Sequence, residues 1–154
     1  MLFNIFAPLA DDFGPLNVFR YLTFRTGGAV LTALLVSFIF GPMLIRLLRR
    51  KQGNGQPIRD DGPERHIVEK AGTPTMGGFL ILFALTFSTL LWADITSGYV
   101  WVTLLVTLGF GGVGFADDYL KVTRQSSCGL SGRLKFVIEI IISVAATAWI
   151  LGLA

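Results

Sequence analysis

Four stretches of this chain, residues 26–45, 71–93, 95–116 and 136–154, hold one formally charged side chain among them, Glu139. Each is close to the ~20 apolar residues that an α-helix needs to cross a ~30 Å hydrocarbon core. A soluble domain has no place for four such segments. The composition agrees: 53% of the 154 residues are hydrophobic and the mean hydropathy is +0.66, against roughly 45–50% apolar residues in ordinary globular domains. The fold class is therefore all-α: a polytopic helical membrane protein with four transmembrane helices. The spans are placed at about 26–48, 73–93, 96–116 and 134–154, within a single membrane domain covering 1–154.

The net charge of +3 and the pI near 9.4 do not indicate nucleic acid, because membrane proteins gather Lys and Arg in their cytoplasmic loops. Arg46, Arg49, Arg50, Lys51, Arg59, Arg65 and Lys70 lie between or beside the first two spans. Lys121, Arg124, Arg133 and Lys135 lie between the third and fourth, whereas the turn at 94–99 has no basic residue. The loops at about 49–72 and 117–133 are thus read as cytoplasmic, with the N-terminus and the short turn outside. Trp92, Tyr99 and Trp101 bracket that turn, where an aromatic belt marks the membrane interface.

Residues 1–10 are apolar but lack a positive n-region and run into Asp11-Asp12. They make a poor signal peptide and a better short interfacial helix on the outer face. Cys128 is the only cysteine, so no intrachain disulfide forms, and it is read as a spectator thiol. The first loop is rich in Gly and Pro and should be irregular. Thr73-Pro74 reads as an N-cap followed by proline at the first helical position. Gly77 and Gly78 permit either close helix packing or close approach of a ligand. For Gly109, Gly111, Gly112 and Gly114 helix packing is the favoured reading.

Three groups of polar residues can carry chemistry. The first is Asp117-Asp118, in Gly114-Phe-Ala-Asp-Asp-Tyr-Leu-Lys121. Placed at a helix C-terminus, these acids would face the negative end of the helix dipole and so require a cation: a metal, a lysine or a retained proton. The bland alternative is a solvated helix end neutralised by Lys121 and Arg124. The second is Asp60-Asp61-Gly-Pro-Glu-Arg-His66 followed by Lys70, just before a helix start whose free N–H groups can receive an anion. Its bland alternative is a positively charged, solvated loop. The third is Cys128-Gly-Leu-Ser131-Gly-Arg133-Leu-Lys135, which opens the fourth span. Glu139 is read there as structural, paired with Lys135 at i,i+4. All three groups converge on one membrane surface, where acids, lysines and helix starts suit phosphoryl transfer.

Four runs carry a resemblance: Asn17-Val-Phe-Arg-Tyr-Leu-Thr-Phe24, Asp61-Gly-Pro-Glu-Arg-His66, Gly72-Thr-Pro-Thr-Met-Gly-Gly78 and Gly114-Phe-Ala-Asp-Asp-Tyr-Leu-Lys121. In this order they resemble phospho-N-acetylmuramoyl-pentapeptide transferases, within the polyprenyl-phosphate phosphosugar transferase family. The resemblance covers essentially the whole chain. It implies transfer of phospho-N-acetylmuramoyl-pentapeptide from UDP to undecaprenyl phosphate at the cytoplasmic face of the bacterial inner membrane. UMP is released, and the product is the first lipid-linked intermediate of peptidoglycan synthesis.

The resemblance also implies Mg²⁺ as cofactor and a homodimer in the intact enzyme. Asp117 and Asp118 would be catalytic, with Asp117 the base toward the lipid phosphate or, in an older scheme, the nucleophile. Lys70, Thr75, Lys121 and Lys135 would bind substrate phosphates or nucleotide. Asp117 or Asp118 would touch the metal, with the main ligand expected beyond Ala154; His66 matches a motif without a firm role. The family has about ten spans of the ~20-residue kind, so the chain is expected to be its N-terminal part. Two alternatives remain: a related UDP-N-acetylhexosamine:polyprenyl-phosphate transferase, and a non-catalytic membrane fragment.

Overall fold

The structure, a computed structural model, describes residues 1–52, 77–124 and 129–153. Among the described residues the regular elements are helical: α1 (Leu2–Leu9), a 3-10 helix (Gly14–Arg20), α2 (Leu22–Gln52), α3 (Gly78–Trp92), α4 (Gly98–Arg124) and α5 (Gly132–Leu153). Three helices, α2, α4 and α5, are long and apolar enough to span a membrane. The described part of α3 is 15 residues, or about 22 Å at 1.5 Å per residue. An all-helical architecture is the one open to such a chain, because hydrocarbon leaves each backbone N–H and C=O to be satisfied within its own helix. The protein is a polytopic helical membrane protein.

The helices run antiparallel in chain order. Phe40 meets Phe83 with ring centroids 6.0 Å apart, and Phe79 meets Phe115 at 6.2 Å. A Cβ on Gly109 would lie 3.1 Å from Ile142, and one on Gly98 would lie 2.7 Å from Leu153. α2 thus packs on α3, α3 on α4 and α4 on α5. The glycines of α4 divide by role. Gly109 faces Ile142 on α5 and Gly111 faces Leu82 on α3, whereas a Cβ on Gly112 or Gly114 would meet nothing within 4 Å among the described residues. Among the described residues, packing thus accounts for Gly109 and Gly111. Gly111→Ala should lower stability by about 1–3 kcal/mol through overpacking, and Gly112→Ala should not. Thermal unfolding of the two variants in detergent checks this difference.

One end of the bundle carries α1 and the 3-10 helix. The Met1 ammonium donates to the Leu90 and Ala93 carbonyls at 2.8 and 3.2 Å, capping the end of α3. Asn4 donates to Asp94 Oδ1 at 2.8 Å and accepts from the Ile95 N–H at 3.2 Å. Phe19 stacks on Trp92 at 6.0 Å, and Trp92 Nε1–H donates to Thr32 Oγ1 at 2.9 Å. These contacts bring the N-terminal segment and the 94–97 turn to the same end. The opposite end holds the finish of α4 and the start of α5.

α4 extends past the boundary read from charge. It runs through Asp117 and Asp118 to Arg124, so the two acids stand about two turns before the helix end rather than at it. The dipole there is met instead by Lys121 and Arg124 in the last turn.

Candidate active site

Asp117 is 7% exposed, one of the few buried polar residues described. Its carboxylate is met from three directions. Lys121, one turn further along α4, places Nζ 2.7 Å from Oδ2. Acid followed by lysine at i,i+4 is the favourable order on a helix. Lys135, in the first turns of α5, places Nζ 2.8 Å from Oδ1. The Leu130 backbone N–H donates to Oδ1 at 2.7 Å. Two cations and an amide donor thus surround one carboxylate. In apolar surroundings such charge is tolerated only when paired and hydrogen-bonded.

The segment before α5 and the first turn of α5 supply one of these contacts each, Leu130 and Lys135, because of how α5 begins. The Leu134 N–H donates to Ser131 Oγ at 3.4 Å and the Lys135 N–H to the Ser131 carbonyl at 3.1 Å. Ser131 therefore opens the helix and orients Lys135. Gly129 sits directly against Asp117: a Cβ there would overlap Oδ1, lie 2.6 Å from Cγ and 3.0 Å from Lys121 Cε. No other residue fits that position without displacing the carboxylate.

Of the residues expected from sequence, Asp117, Lys121 and Lys135 come together. Asp118 is adjacent on α4, turned about 100° around the helix axis, and it too is engaged by neighbouring groups. Lys70, Thr75, His66, Asp60, Asp61, Cys128, Thr73 and Pro74 lie outside the described residues. The second cation on Asp117 is Lys135 rather than Arg124. Lys135 pairs with Asp117, not with Glu139 as its i,i+4 spacing suggested. Gly77 and Gly78 have open space where a Cβ would stand, so packing among the described residues does not account for them. Sequence reasoning missed Gly129 and the Leu130 amide. The only available signal was a glycine three residues before the helix opening at Gly132.

Asp117 and Asp118 offer hard oxygen donors, the ligand type that Mg²⁺ takes through one or two carboxylates together with substrate phosphates. Among the described residues no group of three or more His, Cys, Asp or Glu is gathered as for a protein-only metal cage. The donor set fits an ion shared with a phosphate ligand.

Comparison with known proteins bears on the family. The phospho-N-acetylmuramoyl-pentapeptide-transferase signature 1 matches residues 70–82, which include Lys70 and Thr75. A phospho-N-acetylmuramoyl-pentapeptide-transferase from Maricaulis maris is 62% identical over 149 residues, covering 97% of this chain. One from Granulibacter bethesdensis is 57% identical over 153 residues, covering 99%. The chain belongs to this transferase family. It spans 41% and 42% of the length of those two relatives and corresponds to their N-terminal part. The family signature therefore covers the start of α3, and the acid–lysine cluster lies at the same end of the bundle.

Proposed function

We propose that this chain supplies part of the active site that moves phospho-N-acetylmuramoyl-pentapeptide from its UDP carrier to undecaprenyl phosphate, releasing UMP. The observation that carries the reading is the buried Asp117 carboxylate held between Lys121 and Lys135. A phosphoryl-transfer site works mainly by positioning and by offsetting charge on phosphate oxygens. The two ammonium groups serve that purpose, turning from Asp117 toward incoming phosphates, with Lys70 and Thr75 adding contacts. Asp117, once its lysines engage the substrate, accepts the proton of the lipid phosphate. Asp118 supports the diphosphate and metal side of the same site.

Mg²⁺ belongs to this proposal. Asp117 or Asp118 would hold it, with its main ligand from the remainder of the relatives' length. When bound, it would neutralise charge on the diphosphate and the leaving UMP. The site faces the cytoplasm in the bacterial inner membrane, because the basic loops gather at its end. A homodimer completes the proposal. The topology predicts that Cys128, the sole cysteine, reacts with a membrane-impermeant maleimide in inverted vesicles and not in intact spheroplasts; labelling in spheroplasts would reverse the orientation.

The test of function is genetic. A chimera in which residues 1–154 replace the matching part of the Maricaulis maris relative should support growth of bacteria depleted of their own transferase. Failure of a chimera that accumulates in the membrane would count against the assignment. A second reading, a non-catalytic membrane assembly module, draws on α5, which buries none of its residues. Mg²⁺-dependent transfer by residues 1–154 alone would exclude it.

A further inference from the structure

At the end opposite Asp117, the start of α2, the end of α3 and the start of α4 surround a cavity of about 410 Å³ whose lining includes Leu22, Arg25, Trp92, Asp94, Ser97 and Val100. These are the ends of apolar helices, flanked by Trp92, Tyr99 and Trp101, so the cavity lies at the level of lipid headgroups. Arg25 stacks on Phe3, its guanidinium carbon 4.2 Å from the ring centre. Its Nε is buried and has no hydrogen-bond partner among the described residues. A buried charged donor without an acceptor is costly, so this position calls for one.

Asp94 attracts Arg25 by charge but accepts no hydrogen bond from that Nε. Its Oδ1 already accepts from Thr96 Oγ1 at 2.6 Å, Asn4 Nδ2 at 2.8 Å and the Thr96 N–H at 3.0 Å. The Thr96 hydroxyl, then Asn4, hold its carboxyl below the usual carboxylate range. The Met1 ammonium stands nearby on the α3 carbonyls, so two cations face one carboxylate. The starts of α2 and α4 add the positive ends of their dipoles. What is spare in this cavity is donor capacity and positive charge, beside apolar walls from Leu22 and Val100.

The geometry points to a binding site for the phosphodiester of an anionic phospholipid, with the Arg25 guanidinium on a phosphate oxygen and the glycerol backbone along Leu22 and Val100. This site is separate from the transferase site and does not rest on the reaction proposed there.

Native mass spectrometry of the purified full chain in detergent tests it, with dioleoyl-phosphatidylglycerol, dioleoyl-phosphatidylethanolamine and dioleoylglycerol as probes. The phosphatidylglycerol complex should predominate and should fall about tenfold in Arg25→Gln, the scale of one charge-assisted hydrogen bond. Arg25→Lys should recover part of it. Asp94→Asn, which removes the opposing charge but keeps an acceptor for Thr96, should raise retention, a gain that a misfolded variant cannot mimic. Arg20→Gln, at the same end but paired with Asp11, should leave retention unchanged. The proposal is overturned by undiminished retention in Arg25→Gln, by a loss in Asp94→Asn, or by an equal loss in Arg20→Gln. It is overturned equally if phosphatidylethanolamine binds as well, or if soluble glycerol 3-phosphate displaces the lipid.

Discussion

Asp117→Asn should lower lipid-product formation by about 10²–10⁴-fold, the usual contribution of a positioned acid or base, in a chimera completed with the Maricaulis maris sequence. The substitution keeps the shape of the side chain, and the Leu130 N–H keeps an acceptor. It removes the charge that Lys121 and Lys135 share, so the two ammonium groups are left facing a neutral amide. Breaking a fully buried ion pair costs about 3–5 kcal/mol. The lysine side chains here are 22% and 33% exposed, and solvent screening reduces the cost to about 1–3 kcal/mol. Stability and chemistry are separable in the double variant Asp117→Asn/Lys135→Met. Removing one cation should recover most of the thermal stability but none of the turnover. Recovery of turnover in the double variant would mean that Asp117 serves only to neutralise lysine.

Gly129→Ala should be nearly as damaging to activity, although Gly129 has no functional group. The added methyl would overlap Asp117 Oδ1 and crowd Lys121 Cε. Either the carboxylate rotates away or the segment before α5 retreats, taking the Leu130 N–H with it. Misplacement of reacting groups by about 1 Å can cost ~10²-fold in rate, while overpacking costs about 1–3 kcal/mol in stability. The expected pattern is a fall in turnover of about that size with helicity unchanged by circular dichroism. Gly132→Ala, three residues on, where a Cβ would meet nothing within 4 Å among the described residues, is the control and should remain close to wild type. Equal losses in both variants would point to α5 as a whole rather than to the contact with Asp117.

The helices were legible in the sequence because hydrocarbon imposes a nearly one-to-one relation between a charge-free stretch and a span. Their ends were less so. The appearance of Asp117, Asp118 and Lys121 marks where water begins, not where hydrogen bonding stops. Leu120, Lys121 and Arg124 are good helix formers, and no Gly or Pro interrupts α4 between Gly114 and Arg124, so the helix carries on into the polar region. Asp117 was recognisable from its motif, and Lys121 from its spacing.

Lys135 shows where local rules fail. Its i,i+4 neighbour Glu139 was the nearest acid in sequence, but Asp117, 18 residues earlier, is buried and has the greater need of a cation. A pairing between helices that depends on their docking cannot be read from periodicity along either one. The same holds for Gly129: its requirement for a missing side chain arises only when α4 brings Asp117 against it. The cavity at Arg25 was equally hidden, since three helix ends bring its lining together.

The central claim is that the Asp117–Lys121–Lys135 cluster belongs to a site for a peptidyl sugar-phosphate donor. The most direct measurement is release of labelled UMP by the chimera with undecaprenyl phosphate as acceptor, using UDP-N-acetylmuramoyl-pentapeptide or UDP-N-acetylglucosamine as donor. UMP release that requires the peptidyl donor, depends on the lipid acceptor and disappears in Asp117→Asn is the predicted result. Equal or faster release from UDP-N-acetylglucosamine, or wild-type turnover in Asp117→Asn, would contradict it.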